Sequence, residues 1–435
     1  MEKTKEWADN FTLNREQKKL FELIENKKSH IFVTGRAGTG KSYLLQYLKI
    51  SSSKKMVVVA PTGVAALSID GQTIHSLFLF PPEFLSEEKL QKDPLSKKAI
   101  ALLRKVEAVV IDEISMVRAD LMDAIDYRLR EARGNQLPFG GAQIIMFGDP
   151  FQLAPVVNDA ELHRYFAHNY GGQYFFNASV WGKTGVEIYE LTEVLRQNDA
   201  EFKENLEKIR QGEVSEALLQ KLNGRAIDRL PQDGVLTLAT TNAIVGRING
   251  MRLDRLKGKM FVYRAEVDGK ISKSEFPTEE RLELKEGAQV MFVKNDRERR
   301  WMNGNLGIVS SLTDEVIEVE VDGVSHVVAK EKWHKIKYYY NRKERKIEEE
   351  VVGTFIQYPL RLAWAVTIHK SQGQTYDSVI VDMGGGAFAH GQTYVALSRC
   401  RRMETLYLKK EIRHGDVLVD PLVKEFMKKA QIVRV

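Results

Sequence analysis

Residues 35–42 read GRAGTGKS and follow the apolar run HIFVT. A β-branched run that stops at a glycine-rich loop, with a helical pattern after it, constrains this chain more than any other feature. The spacing is Gly35, four residues, Gly40, Lys41 and Ser42. Glycines at such positions let backbone N–H groups turn inward around phosphate oxygens, where side chains would obstruct them. Lys41 then reaches the β- and γ-phosphates and the Ser42 hydroxyl serves as a Mg²⁺ ligand. The helix from about Lys41 points its positive end at the anion. A chance glycine-rich turn is the competing reading, and the flanking patterns speak against it.

The rest of the first half supplies a sheet for that loop. KMVVVAP at 55–61, AVVIDE at 108–113 and QIIMFGD at 143–149 are continuous apolar runs like HIFVTG at 30–35. Such runs suit strands buried on both faces of a parallel sheet. Leu121, Met122, Ile125 and Leu129 fall on one face of a helix between the last two. The alternation predicts an α/β nucleotide-binding domain. A second series starts with GVLTLATTN at 234–242, breaks, and resumes with LRLAWAVT at 360–367 and SVIVDM at 378–383. Between them AQVMFVKND, GNLGIVSSL, VIEVEVDG and VSHVVAK alternate and are joined by Gly, Asn and Asp turns, as in a small β-barrel. The expected layout is two α/β domains with a barrel inserted in the second, which also suits 435 residues, too many for one core.

Composition excludes some classes. No apolar run approaches the roughly 18 residues of a membrane span, and the N-terminus lacks a signal-peptide stretch. Cys400 is the only cysteine, so an intramolecular disulfide is impossible and a cytosolic or nuclear location is expected. The net charge of +6 is only weak support for an anionic partner.

Other residues fit phosphate chemistry. Asp112 and Glu113 end an apolar strand, so both carboxylates emerge near the phosphate loop; Asp112 suits a Mg²⁺ ligand and Glu113 the base that polarises water. An acidic strand end without a catalytic role is the alternative. Gln152, in GDPFQLAPV, has a donor and an acceptor with which to sense a γ-phosphate, or else lies in a proline-stiffened turn. Gln17 is a candidate for reading the adenine edge, although an exposed helix glutamine is the commoner explanation. Arg196 and Arg399 are candidates for offsetting transition-state charge, and they place ATP in the cleft between the two domains.

In order, LNREQ, GRAGTGKS, APTGVAAL, TIHSLF, VVIDEISM, PFGGAQIIMFGDPFQLAPV, LTEVLRQ, TIHKSQGQT and GQTYVALSRC closely resemble superfamily-one DNA helicases of the Pif-one family, with RecD-type enzymes as cousins. The resemblance implies two RecA-like domains and ATP-driven 5′-to-3′ movement along single-stranded DNA. It implies a first domain over 1–75 and 101–190 with a wedge subdomain at 76–100. The second domain covers 191–255 and 355–435, with an SH3-like insertion at 256–354. Carried over by motif, Gln17, Gly35, Gly38, Thr39, Gly40, Lys41, Ser42 and Gly373 hold ATP, with Ser42 and Asp112 on Mg²⁺. Lys41, Asp112, Glu113, Gln152, Arg196 and Arg399 act in hydrolysis. Pro61, Thr62, Gly63, Thr73, His75, Asn242, Thr367, His369 and Lys370 face DNA. The implied partners are single-stranded and tailed duplex DNA, with G-quadruplexes and RNA–DNA hybrids left open. The implied protein works as a monomer in the cytoplasm, nucleoid-associated if bacterial.

Three choices remain open in the residues themselves. Thr62, Thr73 and Thr367 either bind DNA phosphates or cap helices. Phe78, Phe80 and Phe84, beside prolines, form either a wedge at a duplex junction, the reading slightly preferred, or a local core. The stretch 332–350, with Tyr338, Tyr339 and Tyr340 among basic residues, reads as a hairpin tip; a solvated turn is preferred over a DNA contact. Rival functions are a kinase or GTPase, which needs neither a second α/β domain nor remote arginines, and a clamp whose ATP cycle only gates its grip on DNA.

Overall fold

The computed structural model describes residues 12–434 apart from 82, 158, 195–198, 227–233, 299 and 342–345. The first-half runs form strands β1 (Ile31–Gly35), β2 (Met56–Ala60), β4 (Ala108–Ile111) and β5 (Gln143–Phe147). They join β3 (Gln72–Thr73), β6 (Glu187–Leu191) and β21 (Ile432–Arg434) in one parallel sheet of order β21-β6-β1-β5-β4-β2-β3. Successive side chains point to opposite faces of a strand. Phe32 accordingly enters one apolar core while Ile31 and Val33 enter another, and Val109 and Ile111 part from Ala108 and Val110 in the same way. Both faces are covered, which is why these strands read as unbroken apolar runs. The helix Ala119–Arg133 buries Leu121, Met122, Ile125 and Leu129, as its spacing predicts, and stops at Gly134 in the left-handed region.

The second parallel sheet has the order β18-β7-β19-β20, from β7 (Leu236–Ala239), β18 (Ala365–Thr367), β19 (Val379–Asp382) and β20 (Leu406–Leu408). The two sheets are the two RecA-like domains. The insertion is antiparallel. Strands β8 (Phe261–Arg264) and β10 (Arg281–Leu284) pair with each other. Strands β11 (Gln289–Phe292), β12 (Leu306–Leu312), β13 (Ile317–Val321), β14 (Val324–Val328) and β17 (Leu360–Leu362) form a five-stranded sheet. Phe292, Trp301, Tyr358 and Trp364 lie in its separate core. Strands β9 (Glu266–Gly269), β15 (Glu331–Asn341) and β16 (Lys346–Gln357) form a third, three-stranded sheet. Among the described residues no helix is long and apolar enough to cross a membrane.

Four expectations change. LRLAWAVT is two strands: β17 pairs antiparallel with β11 in the insertion, and β18 pairs parallel with β7. The chain crosses from one sheet to the other at residues 363–364, where the Ala363 N–H is still bound to the Gln289 carbonyl and the Trp364 carbonyl already accepts from Thr237. The last strand, β21, lies on the first sheet beside β6, although 355–435 was expected in the second domain. Strand β15 of the 332–350 hairpin is packed along one face and not wholly solvated. Ile336 and Tyr338 enter the first domain's core, and the Tyr338 N–H donates to Gln72 Oε1 at 3.2 Å. Its tip residues 342–345 lie outside the described residues. Finally, Phe78 and Phe80 are buried and stacked at 5.6 Å, with Phe84 packed against the same core. Their burial, worth roughly 1.5–3 kcal/mol per side chain, makes them a local core and not an exposed wedge.

Candidate nucleotide cleft and nucleic-acid face

In a parallel sheet all strands end on one edge, and ligands bind there where the strand order reverses. Strands β1, β5 and β4 are neighbours, so the loops after them converge. They line a cavity of about 480 Å³ with Gly38, Thr39, Gly40, Lys41 and Ser42, then Asp112 and Glu113, then Gly148 and Gln152. The opposite wall comes from the second domain: Gly373, Thr375, Arg399 and Arg401. Gly38 and Gly40 have φ of +84° and +81°, values that favour glycine. Gly35 is held by space as well, since a Cβ there would lie 2.6 Å from the Leu191 carbonyl oxygen. Lys41 Nζ donates to the carbonyls of Gly35 (2.6 Å) and Arg36 (3.0 Å), so it lies along the loop. Gln17 is not the exposed glutamine of the commoner reading. It is buried; its carbonyl caps the Asn14 N–H at 3.1 Å and its amide donates to the Gly40 carbonyl at 3.3 Å, bracing the loop from behind.

Glu113 has φ +49°, a strained value for a residue with a Cβ. Burial raises the pKa of both neighbouring carboxyls. The Glu113 charge adds to this at Asp112, while Lys41 and Arg399 oppose it at Glu113. Gln372, from the second domain, donates its amide to Glu113 Oε2 at 2.9 Å and to Gln152 Oε1 at 3.4 Å. Arg399 is fully buried, with burial lowering its pKa. It donates to the carbonyls of Val395 (2.9 Å) and Gln374 (3.1 Å) and to the Ser398 hydroxyl (2.8 Å). Arg196 lies outside the described residues.

Sequence reasoning missed the contacts that join the domains. Arg210, in the helix Ala200–Gln211 of the second domain, forms a two-pronged buried pair with Asp149, which follows β5. Its guanidinium also stacks 4.4 Å from the Phe151 ring centre. Burial opposes the Arg210 charge, but the Asp149 carboxylate outweighs it and the pKa rises. Arg36, in the phosphate loop, pairs with Glu207 of the same helix at 2.8 Å, and the Ala37 N–H donates to the Tyr394 hydroxyl at 2.9 Å. A lone arginine on an amphipathic helix, or a tyrosine on a fully buried one, carries no signal of such a partner. Asp149 could have been suspected, since it stands inside GDPFQ.

The residues expected to face DNA also sit at strand ends. Pro61, Thr62 and Gly63 follow β2, Thr73 ends β3 with His75 just after it, Asn242 follows β7, and Thr367 ends β18 with His369 and Lys370 just after it. Thr62 and Thr73 cap helices, accepting from the N–H groups of Ala65 and Ser76, whereas Thr367 accepts from the Lys370 N–H at 3.3 Å inside a turn that is not helical. Thr241, which the sequence reading passed over, caps the helix Asn242–Arg255. His75 and His369 are half-buried, and burial lowers the pKa of both. Gly63 is covered by the insertion, for a Cβ there would lie 2.8 Å from Glu275 Cγ. Phe388, on a glycine-rich loop after β19, is 62% exposed.

Two RecA-like domains that close a phosphate cavity between them define a nucleotide-driven motor. The PIF1-like helicase model matches residues 12–229. The chain is 32% identical to the ATP-dependent DNA helicase Pif1 of Bdellovibrio bacteriovorus, covering 96% of this chain and 92% of that one. It is similar to the crystal structure of Bacteroides sp Pif1 in complex with ADP-AlF4, with 36% identity, TM-score 0.89 and coverage of 96% and 97%. The Bacteroides Pif1 structure with ADP-AlF3 and single-stranded DNA shares 37% identity over the same fractions, with a TM-score of 0.70. Mammalian relatives are longer: the chain spans 60% of the rat PIF1 helicase, at 34% identity. This chain belongs to the PIF1-like helicase family and is a helicase.

Proposed function

We propose that the chain is an ATP-dependent DNA helicase that runs 5′ to 3′ along single-stranded DNA and opens tailed duplexes. The observation that supports this is the two-sided cavity wall, with the phosphate loop on one domain and Gly373, Arg399 and Arg401 on the other. A nucleotide held there touches both domains, so binding draws them together and hydrolysis lets them part. In this reading Lys41 holds the β- and γ-phosphates, Glu113 polarises the attacking water and Gln152 relays the γ-phosphate state. Arg399, with Arg196, offsets charge on the transferred phosphoryl group. Among the described residues no three His, Cys, Asp or Glu side chains gather as a metal cage. That fits Mg²⁺, which takes few protein ligands and fills its shell with water and phosphate. Ser42 and Asp112, both lining the cavity, would hold it. When bound, Mg²⁺ neutralises phosphate charge.

DNA then crosses the strand-end edge of both domains. It is gripped by Pro61, Thr62, Gly63, Thr73 and His75 on one side and by Asn242, Thr367, His369 and Lys370 on the other. A capping threonine keeps its place in this scheme, because the cap orients the turn whose N–H groups meet phosphate. Phe388 supplies a stacking platform, worth about 1–3 kcal/mol per base. We divide the chain as the motifs imply, with the insertion extended to 362 and 432–434 counted with the first domain. It acts as a monomer in the cytoplasm.

The test is one unwinding assay on duplexes with 5′ and 3′ tails, with G-quadruplex and RNA–DNA hybrid substrates alongside. Displacement from the 5′-tailed duplex alone is the expected result. Displacement from the 3′ tail reverses the direction, and DNA-stimulated hydrolysis without displacement means a clamp.

A further inference from the structure

Gln372 joins the second domain to the catalytic carboxylate of the first. Its amide occupies Glu113 Oε2 at 2.9 Å and also meets Gln152 Oε1 at 3.4 Å. The turn that carries it is tied to itself. Lys370 N–H donates to Thr367 Oγ1, Ser371 N–H to the Thr367 carbonyl (3.1 Å), Gln372 N–H to the His369 carbonyl (3.3 Å) and Gln374 N–H to the Ser371 carbonyl (3.0 Å). Buried Arg399 binds the carbonyls of Ser371 (3.5 Å) and Gln374 (3.1 Å) from below. Residues 367–374 are therefore one stiff piece. One end presents His369 and Lys370 on the face assigned to DNA, and the other presents Gly373 in the nucleotide cavity.

We propose that Gln372 is a positioning residue that ties Glu113 to the second domain while the DNA face is empty, and lets it go when DNA displaces the 367–374 turn. The carboxylate oxygen that must take a proton from water is occupied by an amide donor until then. This rests on reading the chain as a DNA-driven ATPase, and it names the side chain through which the DNA face reaches the base.

The test measures ATP turnover of the full chain with and without oligo-dT for the wild type, Gln372→Ala and Gln372→Met. Methionine fills nearly the same space without a donor. Both variants should raise the DNA-free kcat about tenfold, as expected for loss of a hydrogen bond to a charged group. KM for ATP should stay unchanged and the DNA-saturated kcat close to wild type. Adding Glu113→Gln to either variant should return turnover to the Glu113→Gln level. A DNA-free kcat that stays level or falls in both variants overturns the latch, as does a rise in Gln372→Ala that Gln372→Met does not share. Turnover that survives Glu113→Gln overturns it too. If wild-type turnover ignores oligo-dT, the DNA-driven reading itself is wrong; if the wild type responds and the variants respond equally, only the latch is.

Discussion

Arg210→Met tests one of the contacts that hold the two motor domains together, and it also removes the Arg210–Glu207 pair within the helix. Both partners are out of water: Arg210 is 3% exposed and Asp149 is 1% exposed. The guanidinium reaches the carboxylate with N–O distances of 2.9, 3.1 and 3.2 Å. Removing the arginine leaves a carboxylate buried without a counter-charge, which costs about 3–5 kcal/mol. That corresponds to about two to four orders of magnitude in the equilibrium it acts on. Arg210 shares a helix with Phe202, Leu206 and Ile209, which are anchored in the second domain's own core. The loss should therefore fall on the docking of the two domains and leave the helix in place. Urea denaturation of Arg210→Met should show an early transition that the wild type lacks, and ATP affinity should fall with it. The double variant Arg210→Met, Asp149→Asn removes the stranded charge and should recover most of the loss, since a buried pair is often worth little against a neutral replacement. A single-variant cost under about 1 kcal/mol, the value of an exposed pair, would refute the argument. Equal losses in the single and double variants would refute it as well.

Lys41→Ala should abolish tight ATP binding, whereas Glu113→Gln should bind ATP and lose turnover by roughly two to four orders of magnitude; near-normal hydrolysis by Glu113→Gln would sink its assignment as the base. His30, His75 and His369 all have pKa values lowered by burial, opposed by Asp126 at His30 and by Asp120 at His75, with Arg118 adding to the lowering at His75. Their unfolded forms bind protons first, so each imidazole contributes stability that is lost as pH falls below about 6.5. The raised carboxyls of Asp112 and Glu113 act in the opposite sense over the same range, so the readout is the difference between wild type and each single alanine variant in melting curves from about pH 7.5 to 5, each variant losing one imidazole's share of the acid destabilisation. Tyr338→Ala should detach the β15–β16 hairpin from the first domain at a cost of about 3–5 kcal/mol, the range for large aromatic truncations. Limited proteolysis should then cut the hairpin faster without loss of the parallel sheets.

What could be read from the chain and what could not divide along a physical line. β1, β2, β4, β5, β7 and β19 were legible because a strand covered on both faces is apolar at most positions. The phosphate loop was legible because its chemistry demands glycine, lysine and serine at set distances within one short segment. LRLAWAVT misled because residues 360–367 run on as one largely apolar stretch, and only the backbone bonds of Ala363 and Trp364 show that its two ends serve different sheets. FLFPPEF and KYYYN misled for a related reason. Aromatics beside prolines or lysines look exposed in a linear reading, and their burial depends on a surface supplied from far along the chain. Gln72 is 266 positions from the Tyr338 backbone it binds. Gln17 shows the reverse case: a polar residue on an amphipathic helix that is buried with its amide shared between the Asn14 N–H and the Gly40 carbonyl.

The cross-domain contacts were the least legible, and they matter most to a motor. A phosphate loop, two carboxylates and an arginine account for hydrolysis, and each is recognisable alone. Movement needs more than hydrolysis: the free energy of closing must depend on what is bound in the cleft and on the strand. Polar groups that meet across the gap among the described residues can carry that dependence. Arg36 meets Glu207, Arg210 meets Asp149, Tyr394 meets the Ala37 N–H and Gln372 meets Glu113. Three of the four engage the phosphate loop or the carboxylate that follows β4, so opening the cleft must disturb the nucleotide site. The fourth, Arg210 with Asp149, lies just beyond it, between Gly148 and Gln152, both of which line the cavity. Each pair is far apart in sequence and made of ordinary polar residues, because a joint that must break in every cycle has to be moderate in strength. Apolar contact crosses the gap as well, where Ala37 and Leu153 of the first domain pack into the second domain's core, so opening must part both kinds of contact.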